Sequence, residues 1–354
     1  MYDIVIVGAG PAGATFARLV GKRHKVLLLD RRELVKDGDA SPGKCCGGLI
    51  APDAQHMLAK LGLGVPKEVL TGPQLFTVRT IDIQNNIERY YQRHYINVDR
   101  GQFDRWLVSL IPSSVEIRCC SLFKTYHIQD DIIKIHFQYK GKEYTEETRY
   151  LVAADGASST LRRQAAPNFF QRKYISVQEW FKVSHNQPYF STIFDDDITD
   201  FYSWTIPKED YLLVGAAILP KENVSQKFNL LKERLAERGF ELNNSYKKHG
   251  ALILRPQNLK QIFIGKNNVA FIGEAAGWIS PTSAEGLSYA FRSAVALANS
   301  IQQNPVNLIR EYFKNTADLR LNIVQKNLKS PFMYNVMLRK MAMKSGLFSM
   351  DIYG

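Results

Sequence analysis

The stretch Gly8-Ala9-Gly10-Pro11-Ala12-Gly13 restricts the fold more than any other feature of this chain. It follows Tyr2 to Val7, an apolar, β-branched run of the kind that forms a strand buried in a parallel sheet. A small-residue segment from Ala14 to Val20 comes next and predicts a helix packed tightly on that strand. Lys25 to Leu29 then reads as a second strand, ending in Asp30. The pattern is GxGxxG in a βαβ setting, with an acid about 20 residues on. Each glycine has its own task. Gly8 allows the tight turn, Gly10 lets backbone approach a pyrophosphate, and Gly13 lets helix and strand close up. With Pro11 and Ala12, the helix start offers amide hydrogens and the positive end of a dipole to an anion. Asp30, followed by Arg31, is placed to accept a hydrogen bond from an adenosine ribose. The reading is a dinucleotide-binding unit.

Other features narrow the setting. The chain has 354 residues, which favours two intertwined domains. A composition of 45% hydrophobic and 23% charged residues is ordinary for a globular protein. No apolar run reaches the roughly 18 residues that span a bilayer, and MYDIVIVGAG lacks the basic start of a signal peptide. A cytoplasmic protein is expected. The net charge of +12 fits either plain solubility or attraction to anions such as phosphates and acidic lipids. No nucleic-acid motif accompanies it, so no nucleic-acid partner is expected. The four cysteines form two adjacent pairs, Cys45-Cys46 and Cys119-Cys120, without metal-ligand spacing. No metal site and no structural disulfide are expected. Val115 to Leu122 reads as a strand, with its cysteine pair structural.

Two later segments resemble the first in form. Tyr150 to Ala154 is an apolar strand that breaks at Asp155-Gly156, with Leu161-Arg162-Arg163 behind it. Val269 to Ile272 is another, ending at Gly273-Glu274 and followed by Ser283-Ala284-Glu285-Gly286-Leu287. Together the three segments resemble the flavoprotein superfamily that includes p-hydroxybenzoate hydroxylase, the flavin halogenases and the geranylgeranyl reductases. The resemblance runs from residue 2 to about 300. It implies FAD as cofactor, with Asp155 and Gly156 near the pyrophosphate and Gly273, Glu274, Gly286 and Leu287 near the flavin end. Arg100, in VDRGQFDRWL, matches an arginine used near the FAD phosphates. Glu274 stands where the family has aspartate, so its reach toward the ribityl chain is one methylene longer.

The segment Lys44-Cys45-Cys46-Gly47-Gly48-Leu49 resembles the Pro-Cys-Gly-Gly segment of geranylgeranyl reductases, with Cys45 in the proline position. It follows a helix-breaking loop, Asp37 to Gly43. The resemblance puts Cys46, Gly47 and Gly48 beside the isoalloxazine ring, where glycines let backbone pass a flat ring without a Cβ collision. Cys46 is either a proton source for the reaction or a small residue that packs and tunes the pocket.

Residues 75–99 and 170–265 alternate like strands, as in Thr77 to Ile83, and carry many aromatics. Tyr202 and Trp204, two apart, put both rings on one face of a strand. YSWTIPK resembles the YxWxFPK segment lining the isoprenoid cavity of geranylgeranyl reductases, with Ile206 for phenylalanine. Lys208 either assists an anionic group or stands exposed in a turn. Leu287, Ala290, Phe291, Ala294 and Leu297 are at helical spacing, and Leu308, Tyr312, Leu319 and Ile323 continue it. Lys326, Lys329, Arg339, Lys340 and Lys344 interleave with Phe332, Met333, Met337 and Met341. That pattern fits a peripheral contact with anionic lipid and equally a solvated helix.

The expected fold is α/β: a Rossmann-type FAD-binding domain with an inserted antiparallel β-sheet substrate domain and C-terminal helices. Its bounds are 1–74, 100–165 and 266–304 for the first, 75–99 and 166–265 for the second, and 305–354 for the helical segment. The resemblance implies a FAD-dependent oxidoreductase that reduces carbon–carbon double bonds of an isoprenoid or polyprenyl (phosphate) lipid, with Cys46, Tyr202 and Trp204 as the reacting set. The whole chain resembles a bacterial branch associated with colicin M resistance, which suits a polyprenyl phosphate. The alternatives are a flavin monooxygenase or halogenase, since YSWTIP also resembles the halogenase WxWxIP segment, and a non-catalytic FAD-bearing lipid-binding or redox-sensing protein. No second nucleotide-binding unit is present, so an external electron donor, NAD(P)H or a small redox protein, is expected.

Overall fold

A computed structural model describes residues 1–35, 45–185 and 187–353. The expected loop from Asp37 to Gly43, and Lys44, lie outside the described residues. The chain divides into two units: Met1–Pro42 with Gly101–Arg172 and Leu254–Lys326, and Gly43–Arg100 with Lys173–Ile253 and Asn327–Gly354.

The first unit is built on an eight-stranded sheet. Strand Tyr2–Val7 lies parallel between Val26–Leu29 and Lys142–Ala153. Glu116–Arg118 and Val269–Phe271 extend the parallel set outward, and Gly265–Lys266 pairs antiparallel at that edge. Ser121–Gln129 and Ile132–Tyr139 form antiparallel strands attached to Lys142–Ala153. Val5, Val7, Leu27, Leu29, Leu151, Ala153 and Phe271 pack into one core with Trp278 and Tyr289. Helix Leu287–Gln303 buries Leu287, Ala290, Phe291, Ala294 and Leu297, as its spacing predicts. Leu308, Tyr312, Leu319 and Ile323 are buried too.

The Val115–Leu122 segment is not one strand. It is split at Cys119-Cys120, where Cys120 takes φ +55° and is exposed. A left-handed residue cannot continue a ladder. Cys119 is buried, which pushes its thiol up to about 11.

The second unit is built on a nine-stranded sheet. Lys173–Lys182, Tyr211–Ile218, Ser203–Lys208 and Phe190–Phe194 run antiparallel in that order. Phe190–Phe194 then pairs parallel with Leu75–Asp82, so the expected antiparallel sheet holds one parallel pair. Leu75–Asp82 pairs antiparallel with Ile87–Asn97. Leu49–Ile50 pairs antiparallel with Ile87–Asn97 in the same unit.

One face of this sheet is covered by helix Val224–Ala236, whose Phe228, Leu231 and Leu235 pack on Val177, Ile193, Val214 and Ala216. Strand side chains alternate between faces. The register therefore puts Trp204, Gly215, Gln178, Thr192 and Thr80 on the opposite face.

Helix Val336–Lys344 is tied to the sheet by buried charge. Arg339 Nε and Nη2 donate to Asp82 at 2.8 and 3.2 Å, and the two side chains are 3% and 0% exposed. Arg339 is thus not part of a solvated basic face, as the sequence pattern has it. Removing one partner of such a pair leaves a buried charge without its counterion, at a cost of about 3–5 kcal/mol. Arg339→Leu is expected to lower the urea midpoint accordingly, and Asp82→Leu/Arg339→Leu to recover much of the loss. A single variant as stable as the parent would refute this account.

Candidate functional site

In the first unit, three turns meet without room for side chains. Gly8 has φ +106°, and a Cβ there would lie 2.4 Å from the Ala154 carbonyl oxygen. A Cβ on Gly13 would lie 1.8 Å from the Gly8 oxygen, which is how helix Pro11–Val20 sits so close to its strand. Gly273, at φ +55°, would put a Cβ 2.9 Å from that of Ala12. At Gly10 and Gly156 nothing lies within 4 Å of the Cβ position. The helix start at Gly10 has no side-chain cap and no acid in its first turn. Its orphan amides suit an anion.

Asp155 caps the short helix Thr160–Ala165, its Oδ2 accepting from the amides of Thr160 at 2.8 Å and Leu161 at 3.4 Å. Its Oδ1 is buried and has no partner. Burial raises this carboxyl, against the lowering effect of its hydrogen bonds. Arg162, from the short basic helix, ties two motifs together. Its guanidinium donates to the carbonyls of Ala275 at 2.5 Å, Glu274 at 3.3 Å and Ala157 at 2.6 Å.

Asp30 is more engaged than its sequence position reveals. It accepts from the Ala9 amide at 2.7 Å and from the Arg32 amide, Nε and Nη2 at 2.8, 3.1 and 3.0 Å. Arg32 also reaches Asp104 at 2.8 Å. Burial works against the Arg32 charge, yet the bonds to Asp30 and Asp104 hold its guanidinium above the ordinary arginine range. A ribose hydroxyl at Asp30 would share the carboxylate with Arg32, which the sequence reading missed. Arg31 is exposed. Glu274 Oε1 accepts from the Leu254 amide at 3.1 Å. Gly286 and Leu287 open helix Leu287–Gln303, where Glu285 caps the Ser288 amide at 2.7 Å.

The second unit brings the Cys-Gly-Gly segment and the YSWTIPK strand into one cluster. A Cβ on Gly47 would lie 2.5 Å from Ile206 Cδ1, and one on Gly48 would lie 2.4 Å from the Val98 oxygen and 2.7 Å from Lys208 Nζ. The space beside both glycines is filled by protein, and Gly48 also holds φ +63°, where a side chain is strained in any case. Lys208 is buried rather than exposed in a turn. Its Nζ donates to Asn97 Oδ1 at 2.5 Å, the Val98 carbonyl at 2.9 Å and the Gly48 carbonyl at 3.4 Å. Asn97 is itself fixed by Nδ2 bonds to the Pro73 and Pro207 carbonyls at 3.0 and 2.9 Å. Burial drives Lys208 down to about 7, while Cys46, Asp99 and Glu209 act to raise it.

Arg100, expected beside cofactor phosphates, donates from Nη1 to Cys46 Sγ at 3.2 Å. A guanidinium donor favours a negatively charged sulfur. Tyr202 and Trp204 share a face, their ring centroids 5.4 Å apart. Both are buried, and burial raises the Tyr202 phenol far above its usual value, with Tyr95 and Cys46 adding to the effect. Trp204 lies over Gly215, where a Cβ would be 2.3 Å from its Cε2. Among the described residues no cluster of possible metal ligands occurs.

The profile of a FAD binding domain family matches residues 127–245. The chain is 40% identical to Protein CbrA of Shigella sonnei (strain Ss046) over 346 residues, 98% of this chain and 97% of that protein. A geranylgeranyl bacteriochlorophyll reductase-like protein from Thermoplasma acidophilum superposes with a TM-score of 0.82 at 17% identity, covering 97% of this chain and 90% of the other. CmlS, a flavin-dependent halogenase, superposes with a TM-score of 0.72 at 16% identity, covering 96% and 67%. At these identities the two structures establish the fold alone. The residues present fit FAD: the openings at Gly10 and Gly156, the uncapped helix start and the unpartnered Asp155 oxygen are what a dinucleotide would occupy.

Lys208→Met would leave three acceptors without their donor, a loss of about 3 kcal/mol read by urea denaturation. The pH dependence gives a second check. Folded Lys208 titrates near 7 against an ordinary 10.5, so across that window the unfolded chain binds more protons and stability rises with pH. Below 7 both states are charged and the contribution is flat. Subtracting the Lys208→Met curve from the parent's should isolate that rise, and a flat difference would contradict it. Separately, in a chain whose other cysteines are serine, Arg100→Gln should slow iodoacetamide alkylation of Cys46 at pH 7 by about tenfold. An unchanged rate would mean that the guanidinium does not activate the sulfur.

Proposed function

The chain belongs to the CbrA family and is a FAD-dependent oxidoreductase, and on that premise we propose that it reduces carbon–carbon double bonds of an isoprenoid, a polyprenyl phosphate lipid in particular. The observation that carries this reading is the joining of its two reductase-like segments, Gly47 against Ile206 and Gly48 against Lys208. FAD, once reduced, supplies the hydride. The second hydrogen arrives as a proton from a donor beside the substrate, and the chain's residues bind and orient the lipid. Trp204 and Tyr202 offer adjacent rings to an elongated apolar chain, and Tyr202 stays protonated and neutral. Arg100 sets the charge on Cys46 beside the reacting carbon, and Lys208 holds the segment that carries it. Contact of Cys46, Gly47, Gly48 and Arg100 with the cofactor is part of this proposal. So are the cradle residues Gly8, Gly10, Pro11, Ala12, Gly13, Asp30, Arg31, Asp155, Gly156, Gly273, Glu274, Gly286 and Leu287.

The electron donor is external, NAD(P)H or a small redox protein. A lipid substrate also favours a peripheral position on the inner face of the membrane. Among the described residues no helix is long and apolar enough to cross one.

A second reading, a halogenase or monooxygenase, is supported by the shared architecture with CmlS. Oxygen separates the two. The dithionite-reduced flavoprotein, incubated anaerobically with mixed polyprenyl phosphates, is expected to yield a lipid heavier by two hydrogens while the flavin reoxidises. A flavin that stays reduced across all chain lengths, or product formed only with stoichiometric oxygen uptake, would defeat the reductase reading.

A further inference from the structure

We infer that residues 327–353 form a surface that docks on an anionic lipid bilayer. Helix Val336–Lys344 has two sharply different sides. Arg339 and Met343 are buried. Met337, Lys340, Met341 and Lys344, spaced i, i+3, i+4 and i+7, are all exposed on the outer side. Met337 is 74% and Met341 68% exposed, so each leaves most of its apolar side chain in water. Just before this helix, Leu328 and Phe332 stand one turn apart and exposed, with the exposed Lys329 beside them. Just after it come Leu347 and Phe348. Phe348 is 85% exposed and holds φ +62°, a conformation that bulky residues rarely adopt.

The concentration is local. Of the 24 exposed large hydrophobic side chains among the described residues, eight fall between 328 and 353. That is a third of them in under a tenth of the chain. The same stretch is one-signed: no Asp or Glu stands between Asp318 and Asp351. Arg339 is neutralised internally by Asp82, but Lys329, Lys340 and Lys344 are exposed. The chain as a whole carries a net +12.

Charge selects the occupant. A second copy would bring lysines against lysines, which two-fold packing of a basic patch makes unfavourable. Flexible methionines, leucines and phenylalanines interleaved with lysines match an interface of acyl chains beneath anionic headgroups. The nine-residue helix lies far short of the ~20 residues of a membrane span, so it rests in the interface. The inference does not need the substrate to be a lipid.

The test uses the full FAD-loaded chain and cosedimentation with vesicles. Phosphatidylglycerol vesicles should pull the protein down at low salt, and phosphatidylcholine vesicles should not. Phe332→Ser/Met337→Ser/Met341→Ser should weaken binding by at least about tenfold. Lys340→Gln/Lys344→Gln should weaken it by about fivefold per lysine and flatten the salt dependence. Retained FAD shows that the variants fold. A parent chain that stays in the supernatant, binding to both lipids alike, or unaltered binding by the serine variant would overturn the inference. So would a parent that is dimeric by sedimentation velocity, fails to bind vesicles, and becomes monomeric in the serine variant. If binding succeeds while no polyprenyl lipid is reduced, the docking surface stands and the proposed reaction falls.

Discussion

Around Gly8 the backbones of separate chain segments approach more closely than any side chain would allow. A methyl group at Gly8 would overlap the Ala154 carbonyl, and one at Gly13 would overlap Gly8 itself. Gly273, some 265 residues from Gly8, would press a methyl onto Ala12. These contacts bring the first helix start, the Asp155 turn and the Gly273 turn together. Because the helix start is uncapped, its amides keep the capacity to bind an anion. The Asp155 oxygen left without a partner belongs to the same construction, since a buried polar atom without a partner is costly unless a ligand meets it.

The second unit uses glycine differently. Gly47, Gly48 and Gly215 each leave room for a neighbour in the same unit: Ile206, Lys208 and Trp204. Each of those neighbours belongs to one strand, Ser203–Lys208. A single strand therefore fixes the Cys-Gly-Gly segment on one side and seats its tryptophan on the adjacent strand on the other. The ammonium at the end of that strand completes the lock. When it is protonated its three N–H groups meet three acceptors, the full donor capacity of a lysine ammonium.

What the sequence made legible was whatever depends on a few neighbouring residues. The GxGxxG unit, the two later strand-turn segments and the period of helix Leu287–Gln303 all have local signatures, and all form as read. The shared face of Tyr202 and Trp204 was legible because strand alternation is local too. What escaped was pairing over long separations. Lys208 looks like a turn lysine beside Glu209, and only Asn97, 111 positions away, reveals it as buried. Arg339 looks like one cation among several on an amphipathic helix, until Asp82 is found against it at a separation of 257. One local pairing escaped as well: Arg32, only two residues from Asp30, takes up much of its carboxylate, and a spacing of two leaves no periodic sign of it.

The charges around Cys46 constrain what that residue can do. Arg100 stays cationic at any pH the protein meets, so its donation to the sulfur is constant. Lys208 differs, because burial brings its titration near neutrality, and Cys46 is among the groups that pull it back up. That coupling is reciprocal: if negative sulfur favours protonated Lys208, protonated Lys208 favours negative sulfur. The field at Cys46 therefore changes near pH 7 without any atom moving.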